Sequence, residues 1–284
     1  MEQYSRDGWT FEVTDHGAGD QGVIVLLHGF PEDRSAWDRV APVLADAGYR
    51  VLVPELRGYG PGPGPRGRRD YTAVQVGDDI IALLGQAGLD RVHLVGHDWG
   101  AVVSWSVAGR YPERFTSLTT LSVPHPGAFT KAMSRPAQLL KSWYIFYFQL
   151  PWLPERTLSW HDGAMLKRMM RGSGLSEDLV QRYALRTRSP DGMSGPLGGY
   201  RALPYSSGDP VLRVGVPTLF IWGDEDQYVS RAAAEGCAEW VTGPFRFVEV
   251  AGGSHWLPEM RPAEVAALVL GHVAGVTRAG GAPA

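Results

Sequence analysis

The stretch GHDWGA, residues 96–101, has the composition of a sharp strand-to-helix turn that presents a nucleophile. In such a turn small residues flank the central one, which is usually a serine. Here the central residue is Asp98. A carboxylate suits displacement at saturated carbon, which gives an alkyl ester on the enzyme, whereas serine suits acyl transfer. The simpler interpretation is that Asp98 only caps the following helix, because aspartate is a favourable N-cap residue.

Partners for such a nucleophile occur later in the chain, in the order nucleophile, acid, histidine. His255, in the glycine-rich turn GGSHW (252–256), is the candidate general base. The acid that orients it is expected in the loop GDED (223–226). Asp226 is favoured there and Asp224 is second, whereas Glu225 is interpreted as an exposed loop charge.

The turn HGFPE (28–32) is expected to supply a backbone donor to the same site. The N–H groups of Phe30 and Trp99 form the predicted oxyanion hole. Three residues that flank these positions are predicted to shape the substrate pocket: His28, Pro31 and His97. The histidines show no metal-ligand spacing, so neither a metal nor a cofactor is expected.

Strand and helix patterns place all four motifs at one edge of a sheet. Strand-like runs cover residues 9–17, 22–29, 49–56, 91–96, 115–123, 216–223 and 245–253, and helical patterns lie between most of them. This alternation predicts a doubly wound parallel α/β sheet, whose ligands bind at the carboxyl ends of the strands. No convincing core strand lies in 125–207. The predicted organisation is therefore a core domain of residues 1–124 and 208–284, with an inserted helical lid, 125–207.

Composition excludes several classes of function. The chain has 284 residues and a net charge of −3, which does not favour binding to nucleic acid or to an anionic membrane. No segment has the pattern of a signal peptide or a membrane span. The single cysteine, Cys237, is interpreted as a helix filler in a reducing compartment, so a cytoplasmic location is expected. The tail 277–284 is expected to be disordered, and the Pro/Gly/Arg-rich loop 61–70 is assigned no role.

Taken together, HGFPE, GHDWGA, GDEDQYV and GSHW resemble the epoxide hydrolase branch of the α/β-hydrolase fold. The resemblance covers nearly the whole chain. It implies a mostly parallel eight-stranded sheet with helices on both faces, and it supports Asp226 as the acid. Departures from the family pattern are ELRGYG (55–60), where DLRGYG is usual, and Gly199, where a tryptophan is expected.

The resemblance also implies two lid tyrosines that polarise an epoxide oxygen. They are Tyr144 in WYIFYFQLP (143–151) and Tyr200 in GGYRA (198–202). The residues by themselves do not favour Tyr144 over Tyr147, since an aromatic cluster is more often core than catalytic. Trp143 and Tyr147 are predicted to line the pocket.

The predicted reaction converts a small apolar epoxide and water to a vicinal diol through an ester on Asp98, which water activated by His255 then hydrolyses. A monomer or homodimer is expected. One alternative is a haloalkane dehalogenase with the same nucleophile, in which Trp99 and a lid tryptophan (Trp143, Trp152 or Trp160) bind halide. The other is a non-catalytic receptor that holds a small molecule under the lid.

Overall fold

The computed structural model describes residues 1–60, 64–186, 190–208 and 211–280. Its centre is one eight-stranded sheet in the spatial order β1-β2-β4-β3-β5-β6-β7-β8. The strands are β1 Gln3–Arg6, β2 Trp9–His16, β3 Val23–Leu27, β4 Arg50–Pro54, β5 Val92–His97, β6 Phe115–Leu121, β7 Thr218–Gly223 and β8 Phe245–Val250. β2 pairs antiparallel with β1 and β4, and the remaining pairs are parallel. The expected mostly parallel sheet is confirmed, and β1 is the strand that the sequence patterns missed.

Helices cover both faces of the sheet and the segment between β6 and β7. The helices are α1 Ala41–Asp46, α2 Ala73–Gln86, α3 Trp99–Arg110, α4 Pro126–Ala132, α5 Pro136–Lys141, α6 Trp143–Tyr147, α7 Leu153–Gly172, α8 Glu177–Arg186, α9 Pro190–Ser194, α10 Gly198–Ala202, α11 Arg231–Glu235, α12 Leu257–Met260 and α13 Pro262–Gly280. Short 3₁₀ turns are Arg34–Trp37, Arg68–Tyr71, Pro112–Arg114, Leu203–Gly208 and Gly236–Trp240. α4 packs against α11 and the last of these turns, whereas α7 packs against α8 and α9. The division into core and lid domains stays a prediction.

The central strands are buried on both faces, which explains their continuous apolar sequences. Because side chains alternate along a strand, Val25 and Leu27 of β3 pack on the α2/α3 side, whereas Ile24 and Leu26 pack on the α1/α13 side. A third apolar cluster joins helices α6–α10 to the loops at the strand ends; it includes Phe30, Phe148, Leu166, Tyr183, Tyr200 and Trp256. This cluster closes the site at the carboxyl edge of the sheet.

Two sequence predictions concern the chain's C-terminal end and its loop 61–70. The tail was expected to be disordered from residue 277, but α13 continues to Gly280, with the Thr277 hydroxyl donating to the Val273 carbonyl. Residues 281–284 and 61–63 lie outside the described residues.

Cys237 is buried, and burial raises the pKa of its thiol to about 12, as expected of a packing residue. In the described ranges, every helix falls short of the length and apolarity that crossing a bilayer requires.

Candidate active site

Asp98 occupies a strained turn between β5 and α3. Its backbone angles are φ +49° and ψ −116°, a conformation that non-glycine residues rarely adopt. The turn is so tight that a Cβ at Gly96 would lie 2.3 Å from the Gly100 carbonyl oxygen, and one at Gly100 would lie 2.3 Å from the Leu27 carbonyl oxygen. The Asp98 side chain makes no capping hydrogen bond to α3. The simpler interpretation, that Asp98 only caps the helix, is therefore wrong.

The Asp98 carboxylate is held between a backbone donor and a histidine. Its Oδ1 accepts a hydrogen bond from the Phe30 N–H at 2.8 Å, and its Oδ2 lies 3.3 Å from His255 Nε2. Burial by itself raises the pKa of Asp98, but the hydrogen bond and positive charge of His255, together with the Phe30 N–H, lower the pKa below its usual value. The carboxylate is therefore ionised, as a nucleophile must be.

His255 is oriented by Asp226. The two residues meet at 2.8 Å between Nδ1 and Oδ2, and Asp226 Oδ1 accepts hydrogen bonds from the N–H groups of Tyr228, at 2.7 Å, and Val229, at 2.9 Å. Asp224 instead accepts from a backbone N–H at the surface. The structure thus brings the favoured acid, rather than the second choice, to the histidine.

The charge state of His255 follows from its two carboxylate neighbours. Burial by itself lowers its pKa, but the charges and hydrogen bonds of Asp226 and Asp98 raise the pKa well above its usual value. The two carboxylates therefore favour the protonated form of His255. Removal of one of these negative charges would favour the neutral form that a general base requires.

The rings of the two predicted tyrosines contact each other in the cavity beside Asp98. The ring centroids of Tyr144 and Tyr200 are 5.8 Å apart, and both residues line the cavity that contains Asp98. Burial, together with the charge of Asp98, raises the pKa of both phenols well above the usual value. Both hydroxyls therefore stay protonated and can donate a proton or a hydrogen bond.

Trp99 is the first residue of α3, and its ring forms a wall of the cavity. The ring meets that of Tyr200 edge-on, with centroids 4.9 Å apart. Gly199 packs directly on this wall, since a Cβ there would lie 3.1 Å from the indole. The absence of a side chain at position 199 therefore accommodates the indole, and the role of the Trp99 N–H in the oxyanion hole stays a prediction.

The cavity beside Asp98 has two unequal arms. The smaller arm has a volume of about 30 Å³ and is lined by residues that include Phe148, Leu166, Met169, Met170 and Trp256. The larger arm has about 130 Å³ and is lined by residues that include Val102, Val123, Phe129, Ile145 and Leu203. Among the described residues that line either arm, Asp98 and His255 are the only charged ones.

His28 and His97, which were predicted to line the pocket, lie beneath it and are fully buried. His28 Nε2 accepts the Leu56 N–H at 3.1 Å and lies 3.0 Å from Glu55. These contacts fix His28, the first residue of the HGF turn (28–30), to the loop that follows β4. His97 Nε2 donates to the main-chain carbonyl of His255 at 2.9 Å. Both predictions are corrected, because strand ends direct these rings into the sheet, whereas Pro31 does line the smaller arm.

Trp143 and Tyr147 are also absent from the cavity lining. They are four residues apart on α6 and therefore share one helix face, whereas Tyr144 and Phe148 share the neighbouring face that lines the cavity. Trp143 is 51% exposed, and the Tyr147 hydroxyl bonds the Thr157 hydroxyl. The prediction that these two residues line the pocket is wrong.

Two residues of the site were missed by the sequence reasoning. Tyr228 lines both arms, its ring centroid lies 4.9 Å from that of His255, and burial raises the pKa of its phenol to about 12. Its position two residues after Asp226 could have signalled it. Ser122, with φ +66°, donates its hydroxyl to the His255 carbonyl at 2.6 Å, and no motif indicated that contact.

Comparison with known proteins identifies the family of the chain. A family model described as alpha/beta hydrolase fold matches residues 22–262. The AB hydrolase superfamily protein YfhM of Bacillus subtilis is 37% identical, covering 93% of this chain and 94% of the relative. Epoxide hydrolase A of Mycobacterium tuberculosis is 31% identical, with 95% and 96% covered, and human epoxide hydrolase 4 is 35% identical, with 86% and 71% covered. The crystal structure of epoxide hydrolase A from Mycobacterium thermoresistibile superposes with a TM-score of 0.81 at 28% identity, covering 96% of this chain and 97% of that one.

Proposed function

Because the chain belongs to the alpha/beta hydrolase fold family, in the branch whose named members are epoxide hydrolases, we propose that it hydrolyses an epoxide to a vicinal diol. One observation carries the proposal: an ionised carboxylate, Asp98, lies between a backbone N–H and His255, in a cavity that also contains two buried phenols. The nucleophile and the acids that ring opening needs are therefore in one enclosed space.

In the first step, Asp98 Oδ2 attacks a carbon of the oxirane ring. The ester C–O bond forms as the ring C–O bond breaks, and the ring oxygen takes a proton from the phenol of Tyr144 or Tyr200. The raised pKa of each phenol keeps that proton available until negative charge develops on the ring oxygen.

Ester formation prepares the second step. It removes the charge of Asp98, one of the two carboxylates that raise the pKa of His255, so the imidazolium now releases its proton and restores the phenol. Neutral His255 then takes a proton from water, which attacks the carbonyl carbon of the ester. The oxyanion that forms on Asp98 Oδ1 accepts the Phe30 N–H, a donor worth about 3 kcal/mol at such a position. Collapse of this intermediate breaks the bond between Asp98 Cγ and Oδ2, and the leaving alkoxide takes the proton from His255 to complete the diol. The new Asp98 carboxyl group then gives its proton to His255, which restores the resting site.

The shape of the cavity indicates a small apolar epoxide with one large substituent. An arm of about 30 Å³ has the volume of a single water molecule or methyl group, whereas an arm of about 130 Å³ holds several carbon atoms. Apolar side chains line both arms, so a charged substituent would lose its hydration without gaining a partner. We therefore favour terminal epoxides with an alkyl or phenyl group.

The haloalkane alternative needs side-chain N–H donors for a leaving halide. Trp152 and Trp160 are 63% and 69% exposed, and Trp143 is 51% exposed, so these lid indoles are directed away from Asp98. Trp256 does line the smaller arm, but its Nε1 donates to Ser173 Oγ at 3.0 Å. The receptor alternative is disfavoured because nucleophile, base and acid are all present and in contact.

A single-turnover reaction in heavy-oxygen water tests the proposal. Excess enzyme converts styrene oxide, and the Asp98 peptide and the diol are analysed by mass spectrometry. Hydrolysis of the ester places the label in Asp98 and leaves the first diol unlabelled. Label in the diol would indicate direct attack by water, and release of halide from alkyl halides without turnover of any epoxide would support the dehalogenase. Asp98→Asn is the control, because it lacks the carboxylate nucleophile.

A further inference from the structure

A buried polar cluster contacts the main chain of His255 and does not line either arm of the substrate cavity. Glu32, His97 and Glu259 are each at most 2% exposed. Glu32 Oε2 accepts the Gly29 N–H at 2.8 Å and contacts His97 Nδ1 at 3.0 Å. Since the other nitrogen of His97 donates to the His255 carbonyl, this cluster is linked directly to the general base.

Glu259, on α12, brings a second carboxyl group to Glu32. Its Oε1 accepts the hydroxyl of Tyr183, on α8, at 3.1 Å. Glu32 Oε1 lies 2.9 Å from His97 Nδ1. Within the described residues, neither this oxygen nor Glu259 Oε2 makes a hydrogen bond by distance and angle together, and both are buried. Two ionised carboxylates in such contact would repel each other, whereas one proton between them removes the repulsion and satisfies both oxygens.

We propose that Glu32 and Glu259 share one proton, and that the pair positions both the His255 loop and the Phe30 turn for the reaction. The proton lies between Glu32 Oε1 and Glu259 Oε2, because the other oxygen of each group already has a donor: Glu32 Oε2 accepts the Gly29 N–H and Glu259 Oε1 accepts the Tyr183 hydroxyl. Burial, together with the charge of Glu32, raises the pKa of Glu259 well above its usual value, consistent with this assignment.

The other ionisable groups around the pair come from several elements. His97 ends β5, Tyr183 lies on α8, and Asp33 follows Glu32 in the chain and contributes to the raised pKa of Tyr183. The guanidinium of Arg39 donates to the main-chain carbonyl of Glu259 at 3.1 Å, not to its carboxyl group. The Arg39 guanidinium therefore leaves the shared proton in place.

The pair connects a helix between β6 and β7 to the reacting groups. Tyr183 contacts Glu259, and Glu259 contacts Glu32. Glu32 accepts the N–H of Gly29, the residue before Phe30. Glu32 also contacts His97, whose other ring nitrogen donates to the His255 carbonyl. Neither carboxyl group lines the substrate cavity. Both are therefore positioning residues, which act on the geometry of the nucleophile, its backbone donor and the base.

Proton release on unfolding tests the shared proton without any substrate. Above the ordinary glutamate pKa of about 4.3, unfolding of the wild type releases the shared proton, whereas Glu259→Gln has no such proton to release. From about pH 5 to 7 the unfolding constant of the wild type should rise an additional tenfold per pH unit relative to the variant. Urea unfolding at a series of pH values measures both slopes. Equal slopes would overturn the proposal, as would a stoichiometric divalent cation found in the purified protein, because this cluster also has the spacing of metal ligands.

Steady-state kinetics tests the positioning role, and this experiment rests on the proposed function. The amide of Glu259→Gln can still donate to Glu32 and accept from Tyr183. In contrast, Glu32→Gln removes the negative charge beside His97 and leaves one amide oxygen in place of two carboxylate oxygens, so its kcat should fall about 10- to 100-fold further than that of Glu259→Gln, with little change in KM. Glu225→Gln, at an exposed position, is the matched control.

The outcomes separate the two proposals. Equal kcat losses for Glu32→Gln and Glu259→Gln, or no loss in either, would overturn the positioning role. A wild type that hydrolyses no epoxide would contradict the proposed function, while the unfolding slopes would still decide the shared proton. If Glu32→Gln does not fold, the unfolding slopes of the wild type and Glu259→Gln still decide whether the two glutamates share a proton.

Discussion

Replacing Gly29 by alanine should disable the nucleophile without changing any charge. A Cβ at position 29 would lie 2.4 Å from Asp98 Cβ and 2.6 Å from its Oδ1, whereas ordinary contact begins at 3.4 Å. Either the aspartate or the HGF turn must therefore move by about 1 Å. Either movement breaks the 2.8 Å hydrogen bond between the Phe30 N–H and Asp98.

A displacement of about 1 Å at a reacting atom lowers the rate about 100-fold, which corresponds to about 2.7 kcal/mol of activation free energy. The ester-forming step should show this loss directly. Rapid quenching of a single turnover, followed by intact-protein mass spectrometry, measures the rate at which Asp98 is alkylated. Circular dichroism establishes that the variant is folded.

Gly85→Ala is the matched control, because a Cβ at this position in α2 would meet no atom within 4 Å. It should alkylate at the wild-type rate and, as alanine is the better helix former, should be slightly more stable. If folded Gly29→Ala also alkylated at the wild-type rate, the close approach of the HGF turn to Asp98 could not be what sets the nucleophile's position.

Three further predictions concern the same site. Tyr144→Phe and Tyr200→Phe should each slow ring opening about 100-fold, and the double variant more, in single-turnover alkylation, since each phenol is a candidate acid; unchanged rates would rule the phenols out. Asp98→Asn should lower the pKa of His255 in an NMR titration, because one of its two carboxylate neighbours is lost. A histidine whose pKa is raised by folding stabilises the folded state fully below about pH 6.5, and this stabilisation is lost as pH rises through the pKa of the folded state. The variant should therefore lose it at lower pH than the wild type. An unshifted His255 titration would contradict this electrostatic account. Met169→Ala should widen the smaller arm and raise kcat/KM for epoxides with two bulky substituents about tenfold relative to terminal epoxides, as measured in competition; an unchanged ratio would show that this arm does not select substrates.

Local sequence was enough to place the reacting groups because it dictates local backbone geometry. Only glycine fits positions 96 and 100 of the Asp98 turn, and apolar runs such as β3 and β5 are typical of strands buried on both faces. Parallel strands then bring the loops that follow them to one edge. For this reason Asp98, Asp226 and His255 could be predicted as partners although they are far apart in the chain.

Short or exposed elements carried a weaker signal. β1 has four residues with one buried side chain, so no alternation marked it. The aromatic-rich segment 143–202 forms the short or interrupted helices α6 to α10, and it had no periodic pattern long enough to predict them. The tertiary structure decided which aromatic residues of α6 face the cavity. Tyr144 lines it and Trp143 does not, because a helix turns adjacent residues toward different neighbours.

The sequence by itself predicted the fold, and it predicted that Asp98, Asp226 and His255 meet at one site, since both depend on residue type and on short-range backbone constraints. Only the tertiary structure decided which carboxylates raise the pKa of His255, and that Glu259 meets Glu32. Protonation depends on burial and on distances between residues that are remote in the chain, and no local pattern records these quantities.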